Sequence, residues 1–201
     1  MNKPSAAAAW SSYVILTVGA VAMLAPFFWM LSTSLMTPGD EVAIPPKLWP
    51  DPLRWSNYEN VWIEVNFLQY TKNSVFITVI ELIGTVASCA LVAYGMAFFQ
   101  FRGRNAMFLS MLGTMMLPSQ ITMIPTYFIW KTFGALNSYY PLVLRSFLGG
   151  AFGIFLLHQF YRTLPRELYD AAWVDGANPL KIFYMIYLPL SKPALSALAV
   201  F

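Results

Sequence analysis

The charged residues of this chain are too few and too unevenly spaced for a fold surrounded by water. Of 201 residues only 12 are Lys or Arg and 9 are Asp or Glu, 10% in all, against about 25% in soluble domains. Residues 4–39 carry no charge, residues 105–130 carry none, and residues 73–101 carry only Glu81. Each run exceeds the roughly 20 apolar residues that a helix needs to cross ~30 Å of hydrocarbon. The chain therefore reads as an all-α membrane protein, a polytopic bundle of transmembrane helices.

The same arithmetic excludes other classes. One cysteine, Cys89, cannot form an internal disulfide framework or a Cys-based metal site, and one histidine, His158, leaves no His–His ligand pair. No metal site is expected. A net charge of +3 with no clustered Lys or Arg is no footprint for nucleic acid.

Five spans are expected, at residues 13–35, 73–99, 106–130, 138–160 and 186–201, the last incomplete. Residues 1–12 precede them, and 13–201 form one membrane domain. The run Tyr13–Leu35 is longer than the about 7–15 apolar residues of a signal peptide, and no A-x-A site follows it, so it reads as an uncleaved first span. The fifth span is still running at Phe201, which reads as a fragment of a longer protein. The loop at residues 36–72 holds Pro38, Pro45, Pro46, Pro50 and Pro52 with Trp49, Trp55 and Trp62. Proline there prevents a long helix and the indoles suit the membrane interface, so an ordered cap is expected.

Basic residues orient the bundle. One side holds Lys3, Arg102, Arg104, Arg162, Arg166 and Lys181; the other holds Lys47, Arg54, Lys72 and Lys131. The positive-inside rule puts the first set, with the N-terminus and the loop at residues 161–185, in the cytoplasm.

That loop is the most informative segment. Pro165 suits a first helical turn, Glu167 complements the dipole there, and Gly176 suits the left-handed position ending a helix. Asn178 then caps a second helix with Pro179 at its first position. On the first helix Leu168, Ala171, Ala172 and Asp175 recur at spacings of three and four, which predicts a small-residue strip on one face. Such a strip fits a groove on another protein, or an amphipathic helix lying on the bilayer. The two alanines lack a large apolar anchor, which favours the groove.

The order Asp170-Ala-Ala-x-x-Asp175-Gly176-Ala177, followed by Ile186-x-Leu188-Pro189, resembles the EAA loop of ABC importer permeases. Within that superfamily the chain is similar to the carbohydrate-uptake, MalG-like branch, with its MetI-like, type I importer fold. The resemblance extends through Pro45–Tyr58, Ala93–Arg104 and Met116–Pro125. One departure is Asp170, where the family usually has Glu. The resemblance implies six spans and a cytoplasmic coupling helix at Pro165–Val174, seated in an ATP-binding subunit. Glu167, Asp170, Ala171, Ala172, Asp175, Gly176 and Ala177 are the coupling residues it implies. It further implies a second homologous permease subunit, two ATP-binding cassette subunits, an extracytoplasmic substrate-binding protein and a bacterial inner-membrane location. Independently, no glycine in the chain is followed by lysine, so no G-x-x-x-x-G-K-[ST] phosphate loop is present. No cofactor is expected in this chain, ATP-Mg being held by the partners, and the chain is not expected to be an enzyme.

Candidate pathway residues are sparse. Glu81 is placed near the midplane, where an ionisable group faces a cavity or a partner. It is either a hydrogen-bond acceptor for a polyhydroxylated solute or a structural carboxylate, protonated or paired with Arg145. Arg145, some five residues into its span, either snorkels to the outer face or touches an anionic solute. Pro118 and Pro125 bracket Ser119, Gln120 and Thr122; carbonyls freed by proline at membrane depth mark a solute path or a packed kink. Gly84-x-x-x-Ser88 and Gly149-x-x-x-Gly153 predict close helix packing. His158 is expected as an interface side chain. An ion-coupled secondary transporter using Glu81 is the alternative. An intramembrane enzyme lacks H-E-x-x-H and G-x-S-x-G.

Overall fold

The computed structural model describes residues 6–201, with side chains from Trp10 onward. Lys3, which enters the orientation argument, lies outside the described residues. The chain divides into two compact units, Met1–Thr71 and Lys72–Phe201.

In the first unit, α1 (Ala6–Ser34) contains an apolar stretch, Trp10–Ser34, whose side chains are exposed except near its C-terminal end, where Ser32 is buried. A helix apolar on every side belongs in lipid or against other membrane helices. The Pro-rich segment after it folds back on the end of α1. Ser32 Oγ donates to Leu48 O at 2.7 Å, and the Asn57 amide donates to the carbonyls of Ser34 and Met36 at 3.0 and 2.8 Å. These bonds satisfy carbonyls that the helix end leaves without partners. Met36 is buried beneath them, and Lys47 pairs with Asp40 at 2.7 Å. The segment includes a short α-helix, α2 (Ser56–Glu64).

The central helix, α3 (Phe67–Phe98), starts at Phe67 rather than at residue 73. Asn66 takes a positive φ of 50° and accepts from Gln69 N at 2.9 Å. Lys72 is a good helix former, so a charge that marks a membrane boundary need not end the helix. Within the second unit α3 packs against α7 (Ala151–Thr163), α9 (Pro179–Leu190) and α10 (Lys192–Val200). Cys89, Ala90, Ala93 and Tyr94 meet Ile154, Leu157, Tyr161, Ile182, Phe183, Tyr187, Ala194 and Leu198 in one buried cluster. Small residues set the spacing. A Cβ on Gly153 would fall 2.7 Å from Cys89 Sγ and 3.0 Å from Leu198 Cδ1, and one on Gly84 would fall 2.9 Å from the Phe147 ring. Ser88 Oγ donates to Ser146 O at 3.0 Å, so Gly84 and Ser88 act together as expected. Gly149 does not act with Gly153. It has φ of 77° and lies in the break between α6 (Tyr140–Ser146) and α7, so the two glycines share no helical face.

Two expected spans are bent pairs of helices. Between α4 (Arg104–Thr114) and α5 (Ser119–Thr132) the chain turns by 101°. Leu117 precedes proline and is biased away from helical backbone, and Pro118 is extended with ψ of 136°. Pro118 thus separates two helices instead of kinking one, and no hydrogen bond is lost to it. The interior proline is Pro125. The second pair, α9 and α10, bends by 72° at Ser191. Pro193, in the first turn of α10, has no N–H to continue the helix. α9 itself begins at Pro179, before the residue 186 expected for the fifth span, and passes through a wider π turn at Phe183–Tyr187. Three stretches, Trp10–Ser34, Phe67–Phe98 and Tyr140–Thr163, are each long and apolar enough to cross a membrane. Counting each bent pair as one span gives up to five among the described residues.

Candidate functional site

The elbow between α7 and α9 is built from local backbone preferences. α8 (Glu167–Val174) starts after its N-cap Arg166, with Pro165 two residues before the helix rather than in its first turn. At its other end Gly176, φ 80°, donates to Trp173 O at 3.0 Å and Ala177 N donates to Ala172 O at 3.0 Å. This pair of bonds is a Schellman cap, which needs a left-handed residue and so favours glycine. Asn178 then accepts from Lys181 N at 2.8 Å through its side chain, with Pro179 at the first helical position. The expected turn is formed.

Aromatic residues hold the elbow to the core. Tyr94 donates to Pro179 O at 3.0 Å and Tyr187 to Pro165 O at 3.4 Å, so one phenol fixes each end of the segment. Tyr169 stacks on Phe98 with ring centroids 5.5 Å apart and planes 4° from parallel, and Trp173 stacks on Tyr169 at 6.2 Å. Sequence reading missed Tyr94, Phe98, Tyr169 and Tyr187. The signal available was i, i+4 spacing, the spacing of residues that share a helix face: Tyr94 with Phe98 on α3, Tyr169 with Trp173 on α8, and Phe183 with Tyr187 on α9.

This anchoring divides the expected strip. Ala172 and Ala177 are half-buried and pack against the core, whereas Leu168, Ala171 and Asp175 are exposed. Ala171 and Ala172 are about 100° apart around a 3.6-residue helix, and Tyr169 turns the Ala172 side inward. The outward face of the elbow presents Glu167, Asp170, Ala171, Asp175 and Gly176, all exposed. No ion pair covers its carboxylates: among the described residues the only one is Lys47–Asp40.

A second constellation lies along α3. Glu81, fifteenth of the 32 residues of α3, lines a pocket of about 310 Å³ with Thr85, Leu142, Arg145, Ser146 and Gly150. Arg145, itself exposed, lines this pocket with Glu81. Glu81 and Arg145 share this pocket without approaching within the 4.0 Å of an ion pair. Pro118, Ser119, Gln120 and Thr122 are exposed at the start of α5, and none of them lines it. His158, expected as an interface side chain, is packed between helices at its level: it is 9% exposed, with its ring tilted against Phe108 of α4 at 4.5 Å, because α4 packs on α7.

Residues 89–201 match the family model described as binding-protein-dependent transport system inner membrane component. The chain belongs to this family. A diacetylchitobiose uptake system permease protein, NgcG of Streptomyces coelicolor, is 34% identical over 192 residues, covering 94% of this chain and 63% of its own length. An sn-glycerol-3-phosphate transport system permease protein, UgpE of Pectobacterium atrosepticum, is 32% identical over 195 residues, covering 94% of this chain and 69% of its own. YurM of Bacillus subtilis, a probable ABC transporter permease protein, is 30% identical over 188 residues, covering 92% and 61%. The chain therefore spans about three fifths to two thirds of the length of these relatives. The fold matches a chain in the crystal structure of a bacterial ABC transporter involved in the import of the acidic polysaccharide alginate. That match has a TM-score of 0.85 and 24% identity, and covers 100% of this chain and 71% of the other. The fold is that of an ABC importer permease; the described residues form helices and no strands, and several helices are long and apolar enough to cross a membrane.

Proposed function

We propose that the chain is the membrane-spanning permease subunit of an ATP-driven, binding-protein-dependent importer for a sugar or sugar-like solute. The observation that carries this reading is the elbow: an exposed face of acids, Ala171 and Gly176, mounted on the core by Tyr94 and Tyr187. A small, rigidly backed surface can seat in a groove and carry motion into α3, α7 and α9. Family membership supports the same reading. In it α8 is the coupling helix, its partner an ATP-binding cassette subunit that hydrolyses ATP-Mg, since this chain has no phosphate-binding loop. The elbow and the N-terminus face the cytoplasm, and a second permease subunit completes the translocation path. An extracytoplasmic binding protein delivers the solute.

The pocket of Glu81 and Arg145 is this chain's share of that path. A carboxylate acceptor and a guanidinium donor suit hydroxyl-rich or phosphorylated solutes, and relatives named for diacetylchitobiose and for sn-glycerol-3-phosphate span both kinds. The test is uptake into vesicles carrying the assembled transporter. Import is expected to require ATP and the ATP-binding subunit, and to continue when the proton gradient is collapsed. Ala171→Phe is expected to lose the ATP-binding subunit on purification while still inserting in the membrane. Normal co-purification with that variant would remove the coupling role from α8.

A further inference from the structure

A basic cavity lies beside the start of α8. It has a volume of about 420 Å³ and is lined by Met96, Ala97, Gln100, Arg104, Asn105, Phe108, His158, Arg162 and Arg166. The lining comes from the end of α3, the start of α4, the end of α7 and the residue preceding α8. Three arginines line the cavity, and no acidic residue does. None of the three makes an ion pair within 4.0 Å among the described residues. Their hydrogen bonding is also incomplete: Arg104 donates to Phe99 O at 3.3 Å, a use of one of its five N–H groups. His158, which also lines the cavity, is 9% exposed, and its Nδ1 is buried with no hydrogen-bond partner.

Three unneutralised arginines and two amides around one cavity are the equipment of an anion site. We propose that this cavity binds a phosphate group, presented by the headgroup of an anionic phospholipid. The lipid source is argued from the lining. Met96, Ala97 and Phe108 place apolar surface beside the charges, and the cavity opens at the ends of apolar helices, where headgroups lie. Basic pockets between membrane helices favour anionic headgroups for the same reason. Bound there, the phosphate bridges α3, α4, α7 and Arg166, and so braces the segment entering α8. The site stands on the cavity and does not depend on the importer reading.

The test uses the full-length protein purified in detergent, with thermal unfolding as the readout. Short-chain phosphatidylglycerol, short-chain phosphatidylcholine and inorganic phosphate are titrated separately into the wild type, Arg162→Gln/Arg166→Gln and Lys181→Gln. Phosphatidylglycerol is expected to raise the unfolding temperature of the wild type, and phosphatidylcholine to leave it unchanged. Both substituted arginines are exposed, so folding is expected to survive. The double variant should need roughly tenfold more phosphatidylglycerol, or more, for the same shift. Lys181→Gln removes an exposed cation outside the cavity and should respond like the wild type. An equal shift from inorganic phosphate supports the same site with the free ion as its source. The proposal falls if phosphatidylglycerol and phosphate leave the wild type unmoved, as they will if the cavity instead takes a carboxylate from a protein partner. It also falls if the Lys181 variant weakens as much as the arginine variant, since attraction would then be diffuse.

Discussion

Gly176 separates two physical roles that a single substitution would confound. Its φ of 80° lies in the left-handed region, and a Cβ placed there meets nothing within 4 Å in this chain. In the subunit alone, Gly176→Ala and Gly176→Leu should therefore cost the same, about 1–2 kcal/mol of backbone strain. Gly176→Asn should cost less, because Asn visits that region more readily. Crowding inside the chain adds nothing, because the space over the turn is open. If an ATP-binding subunit covers the turn, Leu alone meets its surface, and overpacking adds about 1–3 kcal/mol. That corresponds to a roughly 5- to 150-fold weaker complex than the Ala variant forms. Thermal unfolding of the purified subunit in detergent measures the first quantity, and titration of the immobilised subunit with the ATP-binding protein measures the second. The reasoning is refuted if Ala and Leu bind that protein equally well, or if Leu melts far below Ala in the subunit alone.

Gly153→Val should lower stability by about 1–3 kcal/mol through overpacking, because its Cβ would enter the space of Cys89 and Leu198; denaturation against the wild type measures it. In the loop after α1, hydrogen bonds from Lys47 and then Thr37 hold the Asp40 carboxyl below its ordinary range. A group with a lowered folded pKa contributes stability above its unfolded value near ~3.9, and that contribution fades as pH falls below it. Limited proteolysis within residues 36–55 should therefore accelerate below about pH 4, and Asp40→Asn should remove the pH dependence; a pH-dependent rate in that variant would contradict the assignment. Glu81→Gln and Arg145→Gln should each slow solute uptake while leaving binding of the ATP-binding subunit intact. Loss of subunit binding in either variant would point to a structural role for the pocket.

Local backbone chemistry explains why the elbow was legible in advance. A left-handed glycine, a capping Asn and a Pro at the first helical position each act within a few residues, so Gly176, Asn178 and Pro179 specify their turn wherever the segment sits. Pro118 shows the limit of the same logic. Its sequence context predicts an interruption, but a kink and a 101° turn begin alike, and packing sets the angle.

From the order of residues alone follow the membrane as solvent, the approximate spans, the elbow and the family resemblance, because charge content, hydrophobic run length and cap chemistry are local properties. Tertiary structure alone decided that Ala172 turns inward while Ala171 stays exposed, and that Gly153 packs without Gly149. It also decided that Glu81 and Arg145 share a pocket, and that His158 joins three arginines in another. The physical reason is common to all of these. Helical periodicity says which side chains share a face, but which face is covered, and by what, depends on helices distant in the chain that pack against it.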